Sequence, residues 1–438
     1  MLNTIKNAWR IPDLRRKMLY TLLIIVVFRF GSVIPVPFLD ASALSAMMNT
    51  ASESNSALGY INMLTGGAFS YASLFAMGIT PYINSSIIMQ LLTIAIPALE
   101  RLSKEGETGR KKIATITRYV TVGLGLIQGI AYYFYLRSNA GVVKVTDGFA
   151  GAFVGIVIVL TFTAGTALIM WMGEQINDKG IGNGISIILF AGIVARLPVT
   201  FGGVWQYFSL GLESPSTSGQ YLVLAPLFIV LFLVVIWVIV FMNEAERRIP
   251  VQYAKKVVGR KMYGGQSTYM PVKVAMSGVM PVIFASAILS IPQFVKFFWN
   301  PTEGFGKAFM DAFSNNGWLY TVLYFLLIIM FAYFYMSVQY NPLEMANNLR
   351  QNNGTVPGLR PGRPTAEFIA KILSKVTLIG ALFLAFVALI PIIFTNITNM
   401  QGLSLGGTSV IIIVGVALET VKQMESQMMM RHYKGFLD

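Results

Sequence analysis

Ten apolar runs of about 20 residues, separated by polar and mostly basic segments, dominate this sequence; a run of that length suits a helix that crosses a bilayer. Only 12% of the 438 residues are charged and 55% are hydrophobic, whereas about 25% are charged in a soluble domain. The sequence therefore predicts a polytopic membrane protein. The predicted spans are Met18–Ile34, Ile79–Pro97, Ile113–Leu136, Phe149–Met172, Ile181–Leu197, Tyr221–Phe241, Pro271–Val295, Trp318–Val338, Lys371–Phe394 and Gly406–Val421.

Basic residues are divided unevenly between the two sets of connecting segments. With a cytoplasmic N-terminus, the outward segments hold only five of the 33 Lys and Arg residues. These are Arg137, Lys144, Arg196, Lys296 and Lys307. Because cytoplasmic loops are enriched in Lys and Arg, both termini are predicted to be cytoplasmic. Arg29 lies inside the first span, where a structural role is expected, either snorkelling or bonding to backbone carbonyls.

The N-terminal basic residues resemble the start of a signal peptide. No small-residue cleavage pattern follows them, so Met18–Ile34 is predicted to be a retained first span. Five spans are then followed by five more that begin on the opposite side, as an inverted repeat requires. The inference of an inverted repeat rests on the number of predicted spans and on their orientation. The predicted fold class is all-α, with about ten transmembrane helices in two inverted-repeat halves, residues 1–210 and 211–438.

The stretch from Gly66 to Pro97 is apolar but cannot form one plain helix. Gly78 loosens it and Pro81 removes a backbone donor, which predicts a short helical piece over Ala68–Met77, a break, and a full span. In that span Ile79, Ile83, Ser86 and Gln90 share one stripe. Broken helices at membrane depth either line a cavity or are buried in protein. A kinked structural helix that bonds its neighbours through Ser and Gln is equally compatible with the pattern.

Two cytoplasmic loops, residues 243–270 and 340–364, are longer than orientation requires. The first carries six basic residues interleaved with tyrosines, and the second is rich in Asn, Gly and Pro. Contact with anionic lipid headgroups is the simplest interpretation of such loops. Their length favours a docking platform, whose partner is either a protein or the phosphate backbone of RNA.

Residues that carry catalysis or hold metals are scarce. The chain has no cysteine and one histidine, His432, and its predicted spans lack interior carboxylates. Cysteine nucleophiles, metal clusters and proton relays of ion-coupled transporters are therefore not expected, and neither is a cofactor or an enzymatic activity. The glycine-rich segment Gly180–Gly184 has no Lys-Ser/Thr after it, so it is interpreted as a flexible helix start rather than a phosphate loop.

Several motifs resemble those of bacterial SecY, a family of proteins that form the channel of the Sec protein translocase. They are GGAFSYASLFAMGITPYINSSIIMQLL, KEGETGRKKI with TRY at Thr117–Tyr119, GEQINDKGIGNGISIILFAGIVA, ERRIPVQYAKK, QSTYMPVKVAMSGVMPVIFASAI, VPGLRPGRPTAEFI and GGTSVIIIVGVALET. They occur in the family's order and cover nearly every span and both large cytoplasmic loops. The resemblance therefore extends over almost the full chain.

The resemblance implies ten helices in two halves around a central pore, and it assigns roles to particular residues. A pore ring would comprise Ile79, Ile83, Ile185, Leu189, Ile283 and Ile412. A plug at about residues 62–73 would include Asn62, Gly66, Gly67, Phe69 and Ser73. A lateral gate between the second and seventh spans would involve Asn84, Gln90, Thr117, Ser286 and Ile291. Docking of a motor or ribosome would use Arg260, Lys261, Arg360, Pro361 and Gly362.

By the same resemblance, the chain is expected to conduct unfolded secretory polypeptides across a bacterial inner membrane and to release membrane-protein helices into lipid. Implied partners are SecE-type and SecG-type small subunits, the motor ATPase SecA, the ribosome and preproteins with signal sequences; anionic lipids are expected from the basic loops. A secondary transporter of small solutes with an inverted repeat is the alternative. The missing midplane charges and the large basic loops favour the channel.

Overall fold

The computed structural model describes residues 2–45, 65, 67–138, 141–145, 148–213, 219–253, 256–258, 261–263, 267–276, 278–298, 318–398 and 407–434. The helices are α1 (Leu2–Arg10), α2 (Pro12–Gly31), α3 (Thr80–Ala95), α4 (Pro97–Lys104), α5 (Glu107–Ser138), α6 (Gly148–Lys179), α7 (Gly184–Val194), α8 (Leu197–Glu213), α9 (Tyr221–Glu244), α10 (Met280–Phe298), α11 (Trp318–Gln339), α12 (Pro342–Gln351), α13 (Arg363–Thr398) and α14 (Gly407–Lys434). The strands are β1 (Glu246–Tyr253), β2 (Lys256–Val258), β3 (Lys261–Tyr263), β4 (Ser267–Lys273) and β5 (Gly354–Thr355).

Each of the ten predicted spans coincides with a described helix, which confirms the mostly helical, multi-pass architecture. By length and composition, six helical stretches of the described residues can cross a membrane: α5, α6, α7 with α8, α9, α11 with α12, and α13. A seventh is present if α3 and α4, which meet at 101°, are one broken span. One boundary differs from the prediction. The segment Pro271–Lys273 belongs to β4, so the seventh span begins only at Met280. The proposed division between residues 210 and 211 falls inside α8, which packs against α9.

Small residues allow the helices of the N-terminal half to approach closely. Gly125 and Gly129 of α5 lie one turn apart against Thr166 and Thr163 of α6. At Gly165 an added Cβ would lie 2.0 Å from the carbonyl oxygen of Leu74, so only glycine fits there. Since lipid tails are as apolar as leucine, such close packing replaces the hydrophobic effect as the main attraction between helices in a membrane.

The two large loops form one structure, which we call the loop platform: β1, β4, β5 and α12. Strand β1 pairs antiparallel with β4 and, along its other edge, with β5 from the second loop. Alternate residues of β1, Ile249 and Val251, are buried in a core that also contains Leu373 of α13. The all-α prediction omitted this sheet, although the apolar alternation of β1 is a strand signal. Asn341 caps α12 by accepting hydrogen bonds from two backbone N–H groups.

A second apolar contact, which we call the tail joint, connects the chain's two ends. Its buried residues are Ala8 of α1, Leu14 of α2, Ile181 between α6 and α7, and Met424 of α14. The Thr4 hydroxyl donates a 2.9 Å hydrogen bond to Glu425 Oε1. The Gly180–Gly184 segment thus contributes an apolar side chain to the tail joint, in agreement with its interpretation as a helix start rather than a phosphate loop.

Candidate functional site

The six aliphatic residues of the expected ring converge in one cluster. Ile79, Leu189 and Ile412 are buried in it, and three partly buried isoleucines pack against it. These three are Ile83, Ile185 and Ile283. The contributing helices are α3, α7, α10 and α14, with Ile79 immediately preceding α3. Four separate segments of sequence therefore contribute aliphatic side chains of similar size, without polar atoms, to one apolar cluster.

Helix α7 is positioned by its N-terminal cap. The Asn183 side chain accepts hydrogen bonds from the N–H groups of Ile185 and Ser186, at 3.2 and 3.4 Å. Asn177 accepts another from the Gly184 N–H at 2.7 Å. These bonds satisfy backbone donors that the first turn of a helix leaves unpaired. They hold Ile185 and, one turn later, Leu189 toward the cluster.

A cavity of about 670 Å³ lies between the ring and the loop platform. Five ring residues line it, all except Ile79. The rest of its wall is mixed. Apolar residues such as Val279, Met280 and Phe284 lie among polar ones, which include Ser86, Gln90, Asn177, Asn183, Ser186, Asn243, Lys273, Gln339, Glu419 and Lys422. A cavity of mixed polarity thus borders the aliphatic cluster. A narrow aliphatic ring opposes ions by dewetting and makes no specific contact with a passing chain.

Residues 67–79, which lead into α3, form successive turns and not the short helix predicted over Ala68–Met77. Gly67 and Gly78 have φ values of +90° and +57°, and Ala72 also has a positive φ, +47°. Positive φ values interrupt an α-helix, which requires φ near −63°. Ser73 bridges to Pro35, and its hydroxyl donates to the carbonyl of Ala68 at 2.9 Å.

The apolar side chains of these turns pack mainly against α5 and α6. Phe69 is 2% exposed and stacks on Tyr132 at a centroid distance of 4.4 Å. Ala72 and Ala76 belong to the same cluster as Phe69, and only Phe75 belongs to the cluster of the ring. Three of these four apolar side chains therefore pack away from the cluster of the ring. Ser73 is fully buried, whereas Tyr71 is 56% exposed.

Of the remaining plug residues, Asn62 and Gly66 lie outside the described part of the chain. Gly67 and Phe69 are buried. The described segment after Gly66 is thus built into the N-terminal half.

The contact between α3 and α10, where the lateral gate was expected, is apolar. Ile87 is 4% exposed and shares a cluster with Ala285 and Leu289 of α10. Ile83 and Leu91, one turn to either side, pack against the same cluster. We call these three residues of α3 the seam stripe. Ile87 and Leu91 were not among the residues predicted at the gate, although the spacing of i, i+4 and i+8 from Ile83 indicates one apolar face of a helix.

The two hydroxyl groups expected at the gate form hydrogen bonds within their own helices. The Thr117 hydroxyl donates to the carbonyl of Ile113, and that of Ser286 to the carbonyl of Ile283, each within its own helix at 2.9 Å. Gln90 lines the cavity, and Ile291 is 54% exposed. The Asn84 Oδ1 atom is buried without a hydrogen-bond partner. The hydroxyls of Thr117 and Ser286 therefore do not bridge the contact between α3 and α10.

Arg360 lies at an exposed loop tip between β5 and α13. Gly358 and Gly362 on either side have φ values of +82° and +108°. The Thr365 hydroxyl donates to the Arg360 carbonyl at 2.8 Å, and Pro361 restricts the backbone further. The loop therefore presents one guanidinium group from a constrained backbone. Arg260 and the side chain of Lys261, a residue of β3, lie outside what the structure describes.

Within the described residues, no group of three or more His, Cys, Asp or Glu side chains has the geometry of a metal site. An ion pair joins α5 to α6, where Arg118 Nε lies 2.7 Å from Glu174 Oε1. Because each charged group is paired with the other, we interpret this ion pair as a structural contact between α5 and α6.

Comparison with known proteins identifies this architecture. The SecY family model matches residues 73–421. The chain belongs to the SecY family. It is 43% identical over 447 residues to the protein translocase subunit SecY of Streptomyces galbus, with full coverage of both chains.

Two solved structures share the fold at 17% identity. One, described as the structure of a protein-conducting channel, aligns with a TM-score of 0.62 over 94% of this chain and 92% of that chain. The other is Sec61 in the canine ribosome–channel complex from the endoplasmic reticulum, with a TM-score of 0.59 and the same coverage. Membership of the SecY family and the shared fold agree with the prediction of ten helices in two halves.

Proposed function

We propose that this chain is the channel-forming subunit of a bacterial protein translocase. It passes unfolded secretory polypeptides across the inner membrane and releases membrane-protein helices laterally into lipid. The observation that carries the proposal is that six aliphatic side chains share one cluster and five of them line a cavity, in a chain whose family and fold match protein-conducting channels. Such a ring has no features that would recognise one small solute, which weighs against the secondary transporter.

The proposed ring is Ile79, Ile83, Ile185, Leu189, Ile283 and Ile412. Its side chains can change rotamer to fit a polypeptide of varying width, since nothing but van der Waals contact holds them together. In the resting state the same contacts exclude water and therefore ions. No enzymatic step, cofactor or metal is part of this mechanism, and energy comes from a partner.

The proposed lateral gate opens along the seam stripe, with Asn84, Gln90, Thr117, Ser286 and Ile291 around it. Opening exchanges apolar contacts of Ile87 for contacts with lipid or with an apolar signal sequence. It also lets water or substrate reach Asn84 Oδ1, which relieves a desolvation cost of about 1–3 kcal/mol. The gate is therefore closed by packing and carries a polar group that favours opening.

The proposed plug comprises residues 62–73, of which Gly67, Phe69 and Ser73 anchor its C-terminal end in the N-terminal half. The division of the chain near residue 210 stays a proposal, with α8 as the element between the halves. Both termini and the loop platform are assigned to the cytoplasm on the distribution of basic residues.

The proposed docking surface is the tip of the loop platform, with Arg260, Lys261, Arg360, Pro361 and Gly362. Arg360 can form bidentate hydrogen bonds with a carboxylate of the motor ATPase SecA or with a phosphate of ribosomal RNA. The likeness in fold to a ribosome-bound Sec61 supports the ribosome as a partner. SecE-type and SecG-type subunits and preproteins complete the assembly, and anionic lipids surround it.

Reconstitution tests the function directly. Full-length chain, co-expressed with the small subunits, is placed in vesicles with SecA, ATP and a labelled preprotein. We expect the preprotein to become protected from external protease only when ATP and an intact signal sequence are present. Uptake of small solutes driven by an ion gradient, without protection of the preprotein, would instead establish the transporter.

A further inference from the structure

The surface of α1 divides into three faces, and one of them packs against the rest of the protein. Thr4 and Ala8 face the tail joint, where Ala8 is fully buried. Ile5 and Trp9, one turn apart, are 39% and 47% exposed. Because successive residues of a helix are rotated by about 100°, this apolar pair forms a stripe distinct from the Thr4–Ala8 face. An exposed Trp on such a stripe requires an explanation.

The third face is basic. Lys6 and Arg10 are exposed and one turn apart, and α2 continues with exposed Arg15 and Arg16. The described residues before Met18 contain one acidic side chain, Asp13. Apolar and basic stripes side by side are typical of a helix that lies in the interface of an anionic membrane, with Trp at headgroup depth.

The position of α1 along the chain fits this location. It ends at Arg10, and the apolar run of α2 begins at Met18. Because Ile11 is extended and α2 begins at Pro12, six helical residues separate the two, which is about 9 Å at 1.5 Å per residue. The polar zone of each leaflet extends about 5–8 Å beyond the hydrocarbon core. Side chains extend about 5–6 Å from the axis of a helix, so those of α1 reach the phospholipid headgroups from this level without leaving the tail joint.

We propose that α1 is a membrane-surface anchor that binds anionic phospholipid headgroups through Lys6 and Arg10 and inserts Ile5 and Trp9 at the acyl boundary. The anchor holds the tail joint, and with it the end of α14, against the membrane. The proposal deepens the anionic-lipid part of the proposed function and rests on its cytoplasmic assignment of the N-terminus. It assigns the binding to a defined helix instead of the general basic surface.

A chain without cysteine allows a clean test, because one introduced cysteine carries the only label. Trp9→Cys places an environment-sensitive fluorophore on the apolar stripe. Asn7→Cys is the matched control, since Asn7 is also exposed but lies about 160° around the helix from Trp9. The full chain with its small subunits is reconstituted in vesicles of phosphatidylethanolamine and phosphatidylglycerol, or of phosphatidylcholine alone.

In the anionic vesicles, a lipid-borne quencher should quench the label at position 9, and aqueous iodide the label at position 7. Combining Lys6→Gln with Arg10→Gln should lower the ratio of inserted to free α1 about 30-fold, on the known attraction per basic residue. Lys6→Arg with Arg10→Lys keeps both charges and should preserve insertion. This charge-preserving variant shows whether a loss reflects charge or misfolding.

Iodide quenching of position 9 in anionic vesicles, or equal insertion into both lipid mixtures, would overturn the proposal. Shielding of position 9 only after SecA or ribosomes are added would do so too, because the occupant would then be a protein. Preprotein translocation is measured in the same vesicles. Normal translocation with a lipid-insensitive label refutes the anchor alone, whereas absent translocation in every vesicle refutes the proposed channel.

Discussion

Replacing Ile87 by Ala tests whether packing along the seam stripe keeps the gate closed. Ile87 is 4% exposed and contacts α10 through the cluster that contains Ala285 and Leu289. The substitution removes three carbon atoms, or about 80 Å³, and at about 24 cal/mol per Å³ of cavity it destabilises the closed contact by about 2 kcal/mol. The open gate has no such packing to lose. The ratio of open to closed gates should therefore rise roughly 30-fold.

Ile88 provides the matched control, because it is the next residue of α3 and is 38% exposed. Surface substitutions of this kind usually change stability by less than about 0.5 kcal/mol, so Ile88→Ala should shift the ratio less than about threefold. The assay is the export rate of a preprotein whose signal sequence has a weakened apolar core, relative to the intact signal, in reconstituted vesicles. Ile87→Ala should raise this relative rate and Ile88→Ala should leave it unchanged. Equal behaviour of the two variants would refute the seam as the closing contact.

Three further predictions address the ring, the docking loop and the plug. Combining Ile83→Gly with Ile283→Gly should admit water to the constriction and produce ion conductance across planar bilayers, and silent membranes would contradict the ring. Arg360→Glu should abolish ATP-driven export while the channel still inserts into membranes, and Arg360→Lys should give an intermediate export rate. Normal export by the Glu variant would refute the role of Arg360 in docking. Phe69→Ala should destabilise the protein by about 3–5 kcal/mol because it leaves a cavity beside α5, whereas Tyr71→Ala should change the stability by under about 0.5 kcal/mol. Thermal unfolding in detergent measures both losses of stability, and equal losses would contradict the observed packing.

The sequence predicted the spans well because the bilayer imposes one length and one composition on every helix. A close resemblance assigned the ring residues, and the structure places all six in one apolar cluster, whereas their role as a pore ring is still a prediction. Orientation followed from charge alone and is still a prediction.

Contacts between distant segments were less predictable. Ile87 meets side chains about 200 positions later in the chain, and periodicity indicates a buried face without naming its partner. Ala72 adopts a positive φ that alanine rarely takes, so no propensity rule could have replaced the expected helix with turns. Strand β5 has two residues, too few for a period-2 pattern to register.

Composition of the loop-platform core determines how force applied at the docking surface would travel. Every described residue of that core lies beyond Glu244, on β1, β4, the following turn, α11, α12, the β5–α13 segment or α13. The N-terminal half contributes none of these described side chains. A partner that binds Arg360 therefore exerts force on a structure whose core is packed within the C-terminal half alone. A force or torque applied at the tip would then move the C-terminal half relative to the N-terminal half. The contact between α3 and α10 is the place that must accommodate this movement.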